Sequence, residues 1–186
     1  TALAEWLACL VYVIVLPKRF KLAGTIAVLT VGLVALAACQ LIAGQLPIPL
    51  WAVGMIAAVI TMGALVAAST RITMLDVGYV TARAFVLAEF VASLEWQIHT
   101  YYFYPEPGVD VAWANVVLII TYMVCSSGAH LLERRHFSAR RGPHVGPRTL
   151  LTALAIAIIT FALSNLSFVT PNTPFSGEIS SEVFYI

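Results

Sequence analysis

The sequence predicts an all-α, polytopic membrane bundle of six transmembrane helices, with the N-terminus and residue 186 on the outer side. Composition, run length and charge placement each point to it. Of 186 residues, 61% are hydrophobic and 10% charged. A soluble domain usually has about a quarter of its residues charged, so too little polar surface exists here to cover a water-soluble globule. The apolar residues gather in runs approaching or exceeding the about 20 residues a spanning helix needs. Nine of the ten Lys and Arg residues fall in three short gaps between runs: Lys18, Arg19 and Lys21; Arg71; and Arg134, Arg135, Arg140, Arg141 and Arg148. The alternate gaps hold none. Short loops rich in Lys and Arg stay cytoplasmic, so the alternation gives an orientation as well as a class.

The first run, about 2–16, is short and ends at Pro17-Lys18-Arg19 on the inner side. The second covers about 22–46. Gln45-Leu46-Pro47-Ile48-Pro49 then makes an outer turn, because proline interrupts helical hydrogen bonding. The third run is about 50–68 and ends before Arg71. The fourth is about 77–103, followed by the outer loop Tyr104-Pro105-Glu106-Pro107-Gly108. The fifth is about 111–132, and a basic inner loop from Glu133 to Arg148 leads to the sixth, about 149–168. The polar tail 169–186 ends in Val183-Phe184-Tyr185-Ile186, which reads as the start of a further helix. The opening at Thr1 in mid-run reads as a fragment without a signal peptide. The whole is a single transmembrane domain.

Trp6, Trp51, Trp96 and Trp113 each lie near an expected outer helix end, joined by Tyr101, Tyr102, Phe103 and Tyr104. Aromatic rings favour the membrane interface, so they form either an anchoring belt or the mouth of a ligand site. The pairs Ala23 and Ala27, Gly54 and Ala58, Gly63 and Ala67, and Ala153 and Ala157 are each four apart. That spacing lets helices approach closely in lipid. Cys9, Cys39 and Cys125 are scattered in apolar runs and read as small buried hydrophobes. No metal, redox or cofactor site is expected from their spacing.

The fourth run is chemically unusual, because Arg83, Glu89 and Glu95 interrupt it. At 1.5 Å per residue, Glu89 falls near the bilayer midplane, with Arg83 and Glu95 about 9 Å on either side. A charge at the midplane costs at least about 2.5–3.5 kcal/mol, so Glu89 should face the bundle or be protonated. Three readings of it stay open: a structural carboxyl bonded to another helix through Asn115, Thr121 or Asn165; a ligand-sensing residue; and a proton or cation relay. Arg83 and Glu89 point about 120° apart and are a poor pair; Arg83 is expected to extend toward the inner headgroups. Glu89 shares a face with Phe85, Ser93 and Trp96, and Glu95 shares one with His99. Ser164, Asn165 and Ser167 bring polar groups to the outer end of the sixth run. The candidate ligand- or signal-binding set is therefore Glu89, Glu95, Arg83, Trp96, His99 and Asn165.

Glu106, Asp110, Glu178 and Glu182 make the outer side acidic, with Glu5 and Glu95 toward the same side, which favours cationic, neutral or peptide ligands over anions. The basic inner loop reads as topology and attraction to anionic lipid; nucleic acid is not an expected partner. The chain carries no Walker A loop, nucleophile elbow or HExxH, and no catalytic residues are expected in it.

Arg83–Gln97 (RAFVLAEFVASLEWQ), Phe161–Ile186 (FALSNLSFVTPNTPFSGEISSEVFYI) and the opening Thr1–Arg19 (TALAEWLACLVYVIVLPKR) resemble the membrane sensor region of GHKL-type sensor histidine kinases from anaerobic Gram-positive bacteria. The resemblance implies a multi-pass signal-sensing domain in a bacterial cell membrane. It implies a kinase portion beyond Ile186 and homodimerisation through the full-length protein. Two other expectations compete: a six-helix substrate-binding subunit of a small-molecule transporter, and a membrane scaffold without a ligand. The transporter subunit is expected to keep both ends inside, against the basic-loop pattern.

Overall fold

A computed structural model describes residues 1–46, 48–102, 111–138 and 145–164. Within them the chain is all-α. Its six helices are α1 (Ala2–Val15), α2 (Leu22–Ala43), α3 (Ile48–Ser69), α4 (Met74–Tyr102), α5 (Val111–Ser138) and α6 (Pro147–Ser164). Five contain spans long and apolar enough to cross a membrane: Leu22–Ala43, Ala52–Ser69, Met74–His99, Asn115–Phe137 and Pro147–Ser164. The protein is thus of the multi-pass membrane type. α1 has 14 residues, about 21 Å of helix, short of the about 30 Å hydrocarbon core.

Local chemistry sets the boundaries. α2 stops at Gly44, whose N–H bonds the Gln40 carbonyl, and Gln45 and Leu46 close the turn onto Ile42 and Ala43. Pro49 and Pro147 lie in the first turns of α3 and α6, where a missing N–H costs nothing. α4 starts about a turn before the apolar run because of a capping box. The Asp76 N–H bonds Thr73 Oγ1 at 3.3 Å, while Asp76 Oδ2 accepts from the Thr73 N–H at 3.3 Å and its hydroxyl at 2.7 Å. α5 runs on to Ser138, so Glu133, expected in the inner loop, belongs to the helix.

α4 lies at the centre, packed on α1, α3, α5 and α6; α1 packs on α2, α3, α4 and α5. Half of the α4 span is buried but only 11% of the α5 and α6 spans, so the outer faces of α5 and α6 are left to lipid. α1, though short, contributes Glu5, Cys9, Tyr12 and Val13 to the most deeply buried side chains. The small-residue interfaces are selective. A Cβ on Gly54 would stand 2.5 Å from Ala43 Cβ, and one on Gly32 2.5 Å from Leu65 Cδ1. Ala153 and Ala157 are the buried positions of α6. Ala23 and Ala27, expected to form such a contact, are exposed, because α2 meets α1 and α3 through other faces.

The basic segments converge. Lys18 and Thr70 form an antiparallel bridge. The Arg19 N–H bonds the Ser69 carbonyl and the Arg71 N–H the Pro17 carbonyl, both at 2.9 Å. The Val145 N–H bonds Asp76 Oδ1 at 3.0 Å. The three basic gaps are thereby fastened together at one end of the bundle.

Candidate functional site

Two polar groups interrupt the apolar interior, and α1 and α4 contribute to both. The first lies toward the basic end. Arg83 Nη2 of α4 meets Glu133 Oε1 of α5 at 2.6 Å, and the Tyr12 hydroxyl of α1 donates to the same oxygen at 2.9 Å. Arg83 Nη1 donates to the Tyr79 hydroxyl one turn earlier at 2.7 Å. The guanidinium carbon also stands 5.5 Å from the Tyr79 ring centre, within cation–π range. Tyr12 is in turn fixed by Phe137, edge-on with ring centres 6.3 Å apart. Glu133 Oε2 is buried without a hydrogen-bond partner. Arg83 therefore does extend toward the basic end, but it finishes on Glu133 instead of on headgroups. A charge that would be costly alone in the membrane is neutralised by a partner on another helix.

The second group sits nearer the opposite end. Gln40 Nε2 of α2 donates to Glu5 Oε1 at 2.5 Å and lies 3.9 Å from the Met55 sulfur of α3. Glu5 is 1% exposed, and its Oε2 has no hydrogen-bond partner. Glu89 of α4 is buried and close enough to Glu5 for the two charges to interact. As expected, Glu89 faces the bundle. No hydrogen bond joins it to its proposed partners among the described residues: Asn115 is exposed, Thr121 is buried but not bonded to it, and Asn165 lies outside the described residues. Its neighbour Glu5 was expected only as part of an acidic outer side.

The other described candidates lie in the later turns of α4. Glu95 is half-buried and faces toward the buried Tyr122 on α5. Trp96 is 43% exposed, and His99 is half-buried about one turn on. Phe85, on the face of Glu89, packs against Phe161 of α6 with ring centres 6.0 Å apart. Trp6 is half-buried, and its indole N–H donates to the Leu29 carbonyl of α2 at 2.8 Å. The acidic residues Glu106, Asp110, Glu178 and Glu182 fall outside the described residues. Among the described residues no group of three or more His, Cys, Asp or Glu is placed to hold a metal ion. Cys9 is buried, Cys39 and Cys125 are half-buried, and none is in a disulfide.

The members that sequence reasoning missed are Glu5, Tyr12, Gln40, Tyr79 and Glu133. Tyr79 had a signal, standing one turn from Arg83. Glu5 also had one, as a carboxylate within an apolar run. The arrangement binds three helices through a single carboxylate oxygen and holds a second, incompletely bonded carboxylate near another. No protein-family model, curated protein or solved structure matches the chain.

Proposed function

We propose that the chain is the membrane-embedded sensing domain of a sensor histidine kinase, crossing a bacterial cell membrane six times with its basic loops in the cytoplasm. The observation that carries this reading is the Tyr12–Glu133–Arg83–Tyr79 network. It ties α1, α4 and α5 through one oxygen, so those helices cannot slide without breaking it as a unit. Such an element has discrete arrangements, and a ligand that favours one of them shifts the population. α4 carries the network and continues past Glu89 and Glu95 to the opposite end, where an extracellular cationic, neutral or peptide ligand would act. The resemblance of Arg83–Gln97 and Phe161–Ile186 to such sensors supports the same reading.

The reading frame that encodes the chain is the direct test. An ATP-binding kinase domain in frame beyond Ile186 is expected, and a frame that closes without one overturns the proposal. In a transcriptional reporter for the full-length protein, Arg83→Gln is expected to change basal output several-fold. If Arg83→Gln, Glu89→Gln and Glu95→Gln all leave basal and stimulated output unchanged, the domain is a scaffold.

A further inference from the structure

A groove lined by Ile14, Val15, His130, Arg134 and Phe137 opens between the last turn of α1 and the final turns of α5. His130, Arg134 and Phe137 are four and three residues apart, so they share one face of α5. The lining is divided by chemistry. Ile14, Val15 and Phe137 are apolar, and Ile14 is half-exposed. Arg134 is exposed and pairs with no acidic side chain among the described residues. Its neighbour Glu133 turns away to Arg83 and Tyr12, so that carboxylate does not compete for the cation. His130 buries Nδ1 without a partner, which leaves Nε2 as the ring's usable donor. The position is also specific. The apolar run of α5 gives out at Leu132 and its candidate span at Phe137, so the groove lies where hydrocarbon gives way to headgroups, at the basic end of the bundle.

We propose that this groove binds one anionic phospholipid, with its phosphate on Arg134 and His130 and an acyl chain along Ile14, Val15 and Phe137. A cation beside an apolar wall matches a lipid that carries charge at one end and hydrocarbon at the other. A zwitterionic lipid fits less well, because its own ammonium group would meet Arg134. Free phosphate would use the cation but leave the apolar wall bare. Through Phe137, which packs on Tyr12, an occupant would touch the first neighbour of the buried ion pair.

The test uses the purified chain in detergent micelles, titrated with phosphatidylglycerol or phosphatidylcholine of the same acyl chains and read by native mass spectrometry. Wild type is expected to retain one phosphatidylglycerol in preference to phosphatidylcholine. Arg134→Gln should weaken that binding about tenfold, the scale of one charge-assisted contact. Arg134→Lys should keep most of it. Arg135→Gln, on a different face, should leave it unchanged. Ile14→Trp fills the apolar half without altering charge and should also abolish retention, which keeps the test decisive if Arg134→Gln does not fold. Equal retention of the two lipids, or an equal loss in Arg135→Gln, would mean diffuse attraction and overturn the site. Displacement of the lipid by millimolar inorganic phosphate would make it a phosphate site and overturn the lipid assignment.

Discussion

Arg83 and Glu133 are 50 residues apart in sequence, and neither can be removed alone without leaving a charge in the bundle. Breaking a fully buried pair costs about 3–5 kcal/mol. The Arg83 side chain is 32% exposed, so the expected loss for Arg83→Leu is lower, about 2 kcal/mol after allowing for screening. The double variant Arg83→Leu/Glu133→Leu should recover to within about 1 kcal/mol of wild type, since two apolar side chains can replace a pair. Thermal unfolding in detergent checks this, and an Arg83→Leu variant as stable as wild type would refute the pairing. Asp76→Ala should cost about 1–2 kcal/mol, because it removes the reciprocal half of the capping box and the acceptor for the Val145 N–H together. The charged positions themselves were legible in the sequence, because an ionisable residue in an apolar run announces itself. Their partners were not. Periodicity assigns Glu89 to a helix face but says nothing of which helix lies opposite, and Glu133 looked like a loop residue because hydropathy falls before the helix ends.

Helix boundaries followed the apolar runs closely where glycine or proline marks an end, as at the close of α2 on Gly44 and the start of α6 at Pro147. They departed where side-chain chemistry extends a helix beyond its apolar part. Thr73 and Asp76 add a turn to the start of α4, and the buried Glu133 and Phe137 carry α5 past Leu132. The small-residue pattern was legible only as a possibility for each helix. It marks contact at Gly54 and at Ala153 and Ala157, and marks nothing at Ala23 and Ala27. The glycines therefore rank. Gly54→Ala should cost most, about 2 kcal/mol, because its Cβ would meet the Ala43 Cβ at 2.5 Å and its Cα at 3.0 Å. Gly32→Ala should cost less, because the atoms it meets are the tip of Leu65. Gly128→Ala, with nothing within 4 Å, should stabilise α5 by about 0.5–1 kcal/mol. Unfolding midpoints of the three variants test the order, and equal values would deny the close α2–α3 approach.

At the scale of the whole molecule, the gathering of three basic gaps at one end turns a pattern of letters into one polar face. If that face is cytoplasmic, a chain lacking Cys9, Cys39 and Cys125 should show a sided labelling pattern in intact cells. Lys18→Cys and Arg148→Cys should be protected from a membrane-impermeant thiol reagent, and Trp113→Cys should react. The opposite result would reverse the orientation and return a transport subunit to consideration. The long reach of the contacts of α1 also sets an order in time. Ribosomes add about 5–20 residues per second. Trp6 finds Leu29 after 23 residues and Glu5 finds Gln40 after 35, roughly 1–7 s later. Tyr12 meets Glu133 only after 121, roughly 6–24 s later. α1 is thus held by α2 soon after both are made, while its deepest polar contact waits for α5. Until then Arg83 has no counter-ion, and a nascent chain halted before α5 would be the form most exposed to quality-control proteases.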